Sequence, residues 1–91
     1  MADQIIVTVS GVDKIGIVAE VTSILAKYNV NIEDIKQTLM QGHFVMFMLC
    51  NIENSKKPFK EIKEALTDSG KRLGMEIWVQ KREIFDNMHK I

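Results

Sequence analysis

Ninety-one residues, 46% hydrophobic and 26% charged, describe one small globular domain rather than a repeat array or a disordered chain. Twelve basic and twelve acidic side chains cancel, so the chain offers no electrostatic footprint for nucleic acid or for an anionic membrane. Cys50 is the only cysteine, which excludes an intrachain disulfide framework and any paired-thiol metal or redox motif.

The opening "MADQIIVTVS" has no basic leader, and its apolar stretch is too short for a signal segment or a membrane span. A cytoplasmic setting is the expectation. Ile5, Val7 and Val9 alternate with Ile6, Thr8 and Ser10, which predicts a first strand. "GVDKIG" interrupts the alternation. Ile17, Val21, Ile24, Leu25 and Tyr28 then recur at helical spacing, predicting an amphipathic helix from about Ile15 to Tyr28. Asn29, which tolerates the left-handed conformation, is placed to stop it.

"NVNIEDIKQTLMQ" reads as a second strand with an irregular beginning. Ile32 and Ile35 are three apart, so a period of two cannot put both on one face without a bulge or a late start near Asp34. "QGH" makes a turn, and "FVMFMLCNIE" is a third strand. A second helix opens at Ser55 or Lys57, with Pro58 tolerated in its first turn, and Phe59, Ile62, Ala65, Leu66 and Leu73 mark its buried stripe. "MEIWVQKR" is a fourth strand, with Ile77 and Val79 on one face and Trp78 on the other. Residues 1–82 form the domain. The tail 83–91, "EIFDNMHKI", spaces Ile84, Met88 and Ile91 as a short docking helix would.

The order β-α-β-β-α-β, with right-handed crossovers, predicts an α+β, ferredoxin-like sandwich with two helices on one face of a four-stranded antiparallel sheet. The first and third strands are then central. In the third strand Phe44, Met46 and Met48 alternate with Val45, Phe47 and Leu49, so both of its faces need shelter from water. Each buried side chain of this size contributes about 1.5–3 kcal/mol. The helices cover one face only. The other face, or an adjoining edge, is therefore expected to be covered by a second subunit or by the tail, which points to a homodimer or higher homo-oligomer.

Most chemistries of such a fold lack their residues here. Metal chaperones of this topology hold soft metals with Cys-x-x-Cys on the first loop, and "GVDKIG" has no cysteine. RNA recognition uses stacking aromatics on the central strands, whereas Phe44 and Phe47 fall on opposite faces and no Lys or Arg lies between Lys36 and Lys56. Lys14 cannot supply the arginine fork of an acylphosphatase-like phosphate loop, and the Walker ending GK[ST] is missing. His43 in a turn and His89 in the tail have no third ligand at a recognisable spacing, so no metal is expected. Cys50, in mid-strand, reads as a small core hydrophobe. No nucleophile, base and orienting group assemble, so neither an enzyme nor a cofactor is expected.

Two accounts of the first loop stay open. In one, Asp13 caps the helix at about 1 kcal/mol, Gly11 serves the turn, and Gly16 lets the helix pass close to a strand. In the other, unpaired N–H groups at the positive end of the helix dipole receive a carboxylate, and Gly16 leaves room for it. Asp13 then accepts an ammonium group, and Asn31 offers both donor and acceptor. Carboxylate donors beside an ammonium acceptor describe a site for a free amino acid.

At this point "VTVSGVDKIGIVAEVTSILAKYNVNIEDIKQ" resembles the opening half of an ACT domain, a small-molecule regulatory module of amino-acid metabolism. The shared features are the strand, the Asp-basic-x-Gly loop, the apolar helix and "NVNI" at the second strand. Ile15 stands where that family commonly has proline. Lone domains of this kind are similar to regulators related to the glycine-cleavage repressor. The resemblance implies a ligand site between the first loop of one domain and the second strand of a paired domain. Carried onto this chain, it names Gly11, Val12, Asp13, Lys14, Ile15 and Gly16, with Asn31 and Ile32. The expected function is a non-catalytic, homodimeric, allosteric sensor of an amino acid or similar metabolite, with a possible protein partner. The alternative is a ligand-free dimeric interaction module that presents the second helix or the tail.

Overall fold

In the computed structural model, which describes residues 3–12 and 14–88, the chain runs β1 (Gln4–Val12), α1 (Ile17–Lys27), β2 (Asn31–Met40), β3 (His43–Asn51), α2 (Phe59–Leu73), β4 (Glu76–Lys81) and α3 (Arg82–Met88). The strands form one antiparallel sheet in the order β2-β3-β1-β4. This is the expected ferredoxin-like arrangement, with β1 and β3 central.

Strand alternation decides the core. Ile5, Val7 and Val9 of β1, Met46, Met48 and Cys50 of β3, and Ile77 and Val79 of β4 point to the helices and are buried. Ile17, Val21 and Leu25 of α1 and Ile62 and Leu66 of α2 close over them, with Ile24, Tyr28, Phe59 and Leu73 packed at the margin. On β2 the register slips between Ile32, paired with Cys50, and Asp34, paired with Leu49. The bulge turns both Ile32 and Ile35 to the helix side, because their partners Cys50 and Met48 share that face. The spacing of three in the sequence is thereby reconciled with a strand.

Chain ends of the elements differ from the predicted ones by a few residues, for local reasons. Helix α1 begins at Ile17 rather than Ile15, and its N-cap is Gly16 in the left-handed region, φ 88°, with no side-chain cap. The N-cap position is thus Gly16 and not Asp13, which lies outside the described residues. The helix ends as expected. Asn29 takes φ 62°, and the Asn29 and Val30 N–H groups close back on the Ala26 and Leu25 carbonyls at 3.0 and 2.9 Å. Helix α2 opens at Phe59, later than Ser55 or Lys57, because Pro58 is extended at ψ 164° and serves as N-cap. The Ser55 hydroxyl instead folds the approach, accepting from the Lys57 N–H at 3.1 Å. The β2–β3 turn is Gln41-Gly42, both at positive φ, as two-residue hairpins require. His43 is consequently the first residue of β3 and not part of the turn.

Helix α3 lies on the sheet face away from α1 and α2, where Phe85 meets Phe47 edge to face at 6.3 Å between ring centroids. The tail does shelter part of that face, as anticipated. Phe85 makes the contact, whereas Ile84 is half exposed. The Met88 side chain and Ile91, the other two positions of the predicted docking stripe, lie outside the described residues.

Candidate functional site

The first loop joins the end of β1 to the start of α1. Before the first helical hydrogen bond, from the Glu20 N–H to the Gly16 carbonyl at 2.9 Å, the N–H groups of Ile17, Val18 and Ala19 have no acceptor inside the helix. They stand at its positive end. A Cβ built on Gly16 would meet nothing within 4 Å among the described residues. Gly16 therefore does not ease close packing against a strand. Its φ of 88° needs glycine, and no described residue fills the space over it. Gly11 belongs to β1 rather than to the turn, and a Cβ there would come within 2.6 Å of the Met75 sulfur. Its role is to admit Met75.

The remaining loop side chains divide. Val12 and Ile15 are exposed. Lys14 reaches across to α2, where its ammonium donates to the Leu73 carbonyl at 2.6 Å. That carbonyl is in the last turn of α2, so the cation also meets the negative end of the helix dipole. Lys14 thereby anchors the loop. Asp13 lies outside the described residues.

Beside the first turn of α1, a hollow of about 350 Å³ is lined by Val18, Gln37, Thr38, Leu39 and Phe44. It is bounded by α1 on one side and by β2, an edge strand, on the other. Val18 and Leu39 leave apolar surface exposed around it.

Asn31 and Ile32 are elsewhere. Asn31 begins β2 and pairs with Asn51, which pairs in turn with Gln4, whereas the loop follows Val12 at the far end of the sheet, level with His43 and Met40. Nine strand steps at about 3.3 Å each separate Asn31 from Met40. Asn31 lines a polar hollow of about 460 Å³ with Asn29, Asn51, Glu53 and Asn54. Within one chain the loop and Asn31 are not brought together. Ile32 is half-buried against the core.

Two features escaped the sequence reading. Glu20 on α1 accepts from Ser69 at 3.2 Å and from Arg72 at 3.0 Å, both on α2, locking the two helices together beside the loop. The second is a groove beside α3 on the far sheet face, a face whose need for cover the sequence did announce; Thr8, Ser10, Phe47, Trp78 and Phe85 are among the residues that line it. Ser10 is also within 3.0 Å of the His43 Nε2. The signal for this face was present in Phe47 and Trp78, which alternation sets opposite the core.

The buried Cys50 thiol is pushed up to about 12, chiefly by burial and then by the charge of Glu33. It is unsuited to nucleophilic chemistry. Among the described residues no group of three or more His, Cys, Asp or Glu side chains could hold a metal ion, and no helix is long and apolar enough to cross a membrane.

Comparison with known proteins places this geometry. A UPF0237 protein of Listeria innocua is 46% identical over 86 residues, covering 94% of this chain and 97% of the relative. A UPF0237 protein of Methanococcus maripaludis is 46% identical over 89 residues, covering 98% and 99%. An ACT domain protein from Streptococcus pneumoniae superposes with a TM-score of 0.79 at 34% identity, over 94% of this chain and 97% of that one. The family model for the ACT domain matches residues 3–80; the chain belongs to the ACT domain family, a regulatory fold.

Proposed function

We propose that this protein is a non-catalytic cytoplasmic sensor that binds an amino acid or similar small metabolite between two copies of the chain. It passes the event on by shifting its assembly or its affinity for a protein partner. One relationship carries the reading. The loop that offers free N–H groups and the asparagine that would hold the ligand's other end lie at opposite ends of the same sheet. A two-fold axis that pairs the β2 edges antiparallel reverses one strand against the other, and so sets Asn31 of each copy beside the loop of its partner.

The β2 edge suits that pairing. It runs for ten residues with the outer side free among the described residues, and it lacks the proline that blunts exposed edges. Ile15, Val18 and Leu39, exposed beside it, would leave water on assembly. Loop N–H groups and the open space over Gly16 would take the ligand's carboxylate, and Asp13 with the partner's amide at position 31 its ammonium group. Lys14, committed to Leu73, holds the loop rather than the ligand. The family match and the regulatory subunit of aspartate kinase from Thermus thermophilus, alike in fold with a TM-score of 0.67, are in keeping with this reading.

A thermal-shift screen of the twenty amino acids tests it. At least one is expected to raise the melting temperature, and Gly16→Val and Asp13→Ala are expected to abolish that shift. Binding unchanged in both variants would remove the site. A ligand-free interaction module is the second reading, favoured by the full exposure of Ile15 where the family's loop is stiffened. It is distinguished by partner capture that depends on residues 83–91 and ignores added amino acids.

A further inference from the structure

A groove of about 740 Å³ opens on the sheet face turned away from α1 and α2 and runs round the edge strand β4 to Lys63 and Thr67 of α2. Val45, Phe47, Trp78 and Phe85 form its apolar walls, and Thr8 lies among them. Strand register explains the arrangement, since Thr8 pairs with Phe47 on one side and with Trp78 on the other. Phe47 and Trp78 are 40% and 57% exposed, whereas Thr8 is only 6% exposed. The Thr8 side chain takes part in no hydrogen bond among the described residues. No fully buried polar side-chain atom is left unpaired there either. The hydroxyl is therefore not sealed in; it opens at the floor of the groove.

A deep hydroxyl without a partner, ringed by three aromatic side chains, is a recognition element for something flat. We propose that this groove is a second ligand site, for a small planar aromatic or heteroaromatic molecule. Its ring lies against Phe47, Trp78 and Phe85, and one polar edge atom hydrogen-bonds the Thr8 hydroxyl. Offset and edge-to-face ring contacts supply most of the affinity, and the hydroxyl sets orientation. A second copy stacked face to face is a poor occupant, because packed sheets need two open faces about 10 Å apart. Here α3 stands on the face, packed against β1 and β4, and with Phe85 it makes the face concave. The groove lies at the β4 edge of the sheet and the hollow beside α1 at the β2 edge, so this inference does not rest on the amino-acid site.

The test is an amide-resolved NMR titration of the full chain with quinoline, indole and, as a non-planar control, cyclohexanol. Trp78 is the only tryptophan, so its indole N–H reports on the groove without ambiguity. Quinoline or indole is expected to give saturable shifts at Thr8, Val45, Phe47 and the Trp78 indole, with cyclohexanol at least tenfold weaker. Thr8→Val, which exchanges the hydroxyl for a methyl group, is expected to weaken binding about three- to tenfold. Thr8→Ser should restore it and Phe47→Ala should abolish saturation. If Thr8→Val fails to fold, the ratio of Thr8→Ser to Thr8→Ala decides the same point. Shifts that stay linear with concentration, gather at other residues or ignore these substitutions would overturn the proposal. So would a wild-type dimer that protects the groove and falls apart on Phe47→Ala, since a second copy would then be its occupant. Loss of amino-acid binding at the loop would move none of these signals.

Discussion

The Lys14 ammonium lies 2.6 Å from the Leu73 carbonyl, tying the first loop to the last turn of α2 across 59 residues of sequence. The loop's position is therefore set by the second helix as well as by the first. Replacing Lys14 by Met keeps the stem and removes the charge. The expected loss of stability in chemical denaturation is about 0.5 kcal/mol, and it should shrink with added salt because the contact is at the surface. The same variant should weaken any loop-bound ligand.

At Gly16 the conformation and the space separate. The left-handed φ of 88° penalises any side chain, yet a Cβ there touches nothing among the described residues. Gly16→Ala is expected to destabilise the fold by about 1–2 kcal/mol from backbone conformation alone, and Gly16→Asn by less, because Asn enters this region more readily. Urea midpoints of the two variants check the ordering.

Gly70 gives the opposite lesson. Gly70 lies in the last turn of α2, and within a helix Gly→Ala ordinarily stabilises by up to about 1 kcal/mol. Here a Cβ would stand 2.9 Å from both the Ile77 Cγ1 and the Met75 carbonyl oxygen, and the carbonyl belongs to the backbone that accepts no easy shift. Overpacking of this kind costs about 1–3 kcal/mol. The net effect of Gly70→Ala is expected to be destabilising, read as a lower thermal midpoint.

Cys50 links burial to pH. Its thiol rises from an ordinary 9.0 to about 12 in the fold. A group whose folded value is raised stabilises the fold fully below its unfolded value, so this contribution is intact below pH 9. Above that the unfolded chain releases the proton first, and the contribution is lost as pH climbs through about 12. Stability should fall more steeply between pH 9 and 11 in the wild type than in Cys50→Val. A thiol reagent at pH 8 should label Cys50 only after denaturant is added.

How much of this could be read from the residues alone depends on the range of the interaction. Alternation in β1 and β4, and the mismatch between Ile32 and Ile35 that became a bulge, are short-range signals and were legible. The start of α1 was less legible: Asp is the commoner N-cap residue, whereas the N-cap position falls on the left-handed Gly16, and Asp13 lies outside the described residues. Lys14 meets Leu73 only because the sheet sets the first loop beside the end of α2, a juxtaposition that no local pattern encodes. The tail was assigned by spacing to Ile84, but Arg82, bonded to Gln4 at 2.9 Å and to Asp86 at 3.3 Å, turns α3 so that Phe85 faces the sheet. As for the first loop, its residue types were legible, whereas the separation of Asn31 from it followed only from the strand register.

That separation makes the central proposal testable by complementation. Gly16→Val and Asn31→Ala damage different halves of the proposed site, and in a two-fold dimer those halves come from different chains. Each variant alone is expected to bind no amino acid in calorimetry. After the two are mixed and allowed to exchange, half the dimers are mixed and each carries one intact site, so about a quarter of all sites should recover wild-type affinity. No recovery on mixing, with both variants folded and dimeric, would contradict a site shared between two copies, as would wild-type binding by either variant alone.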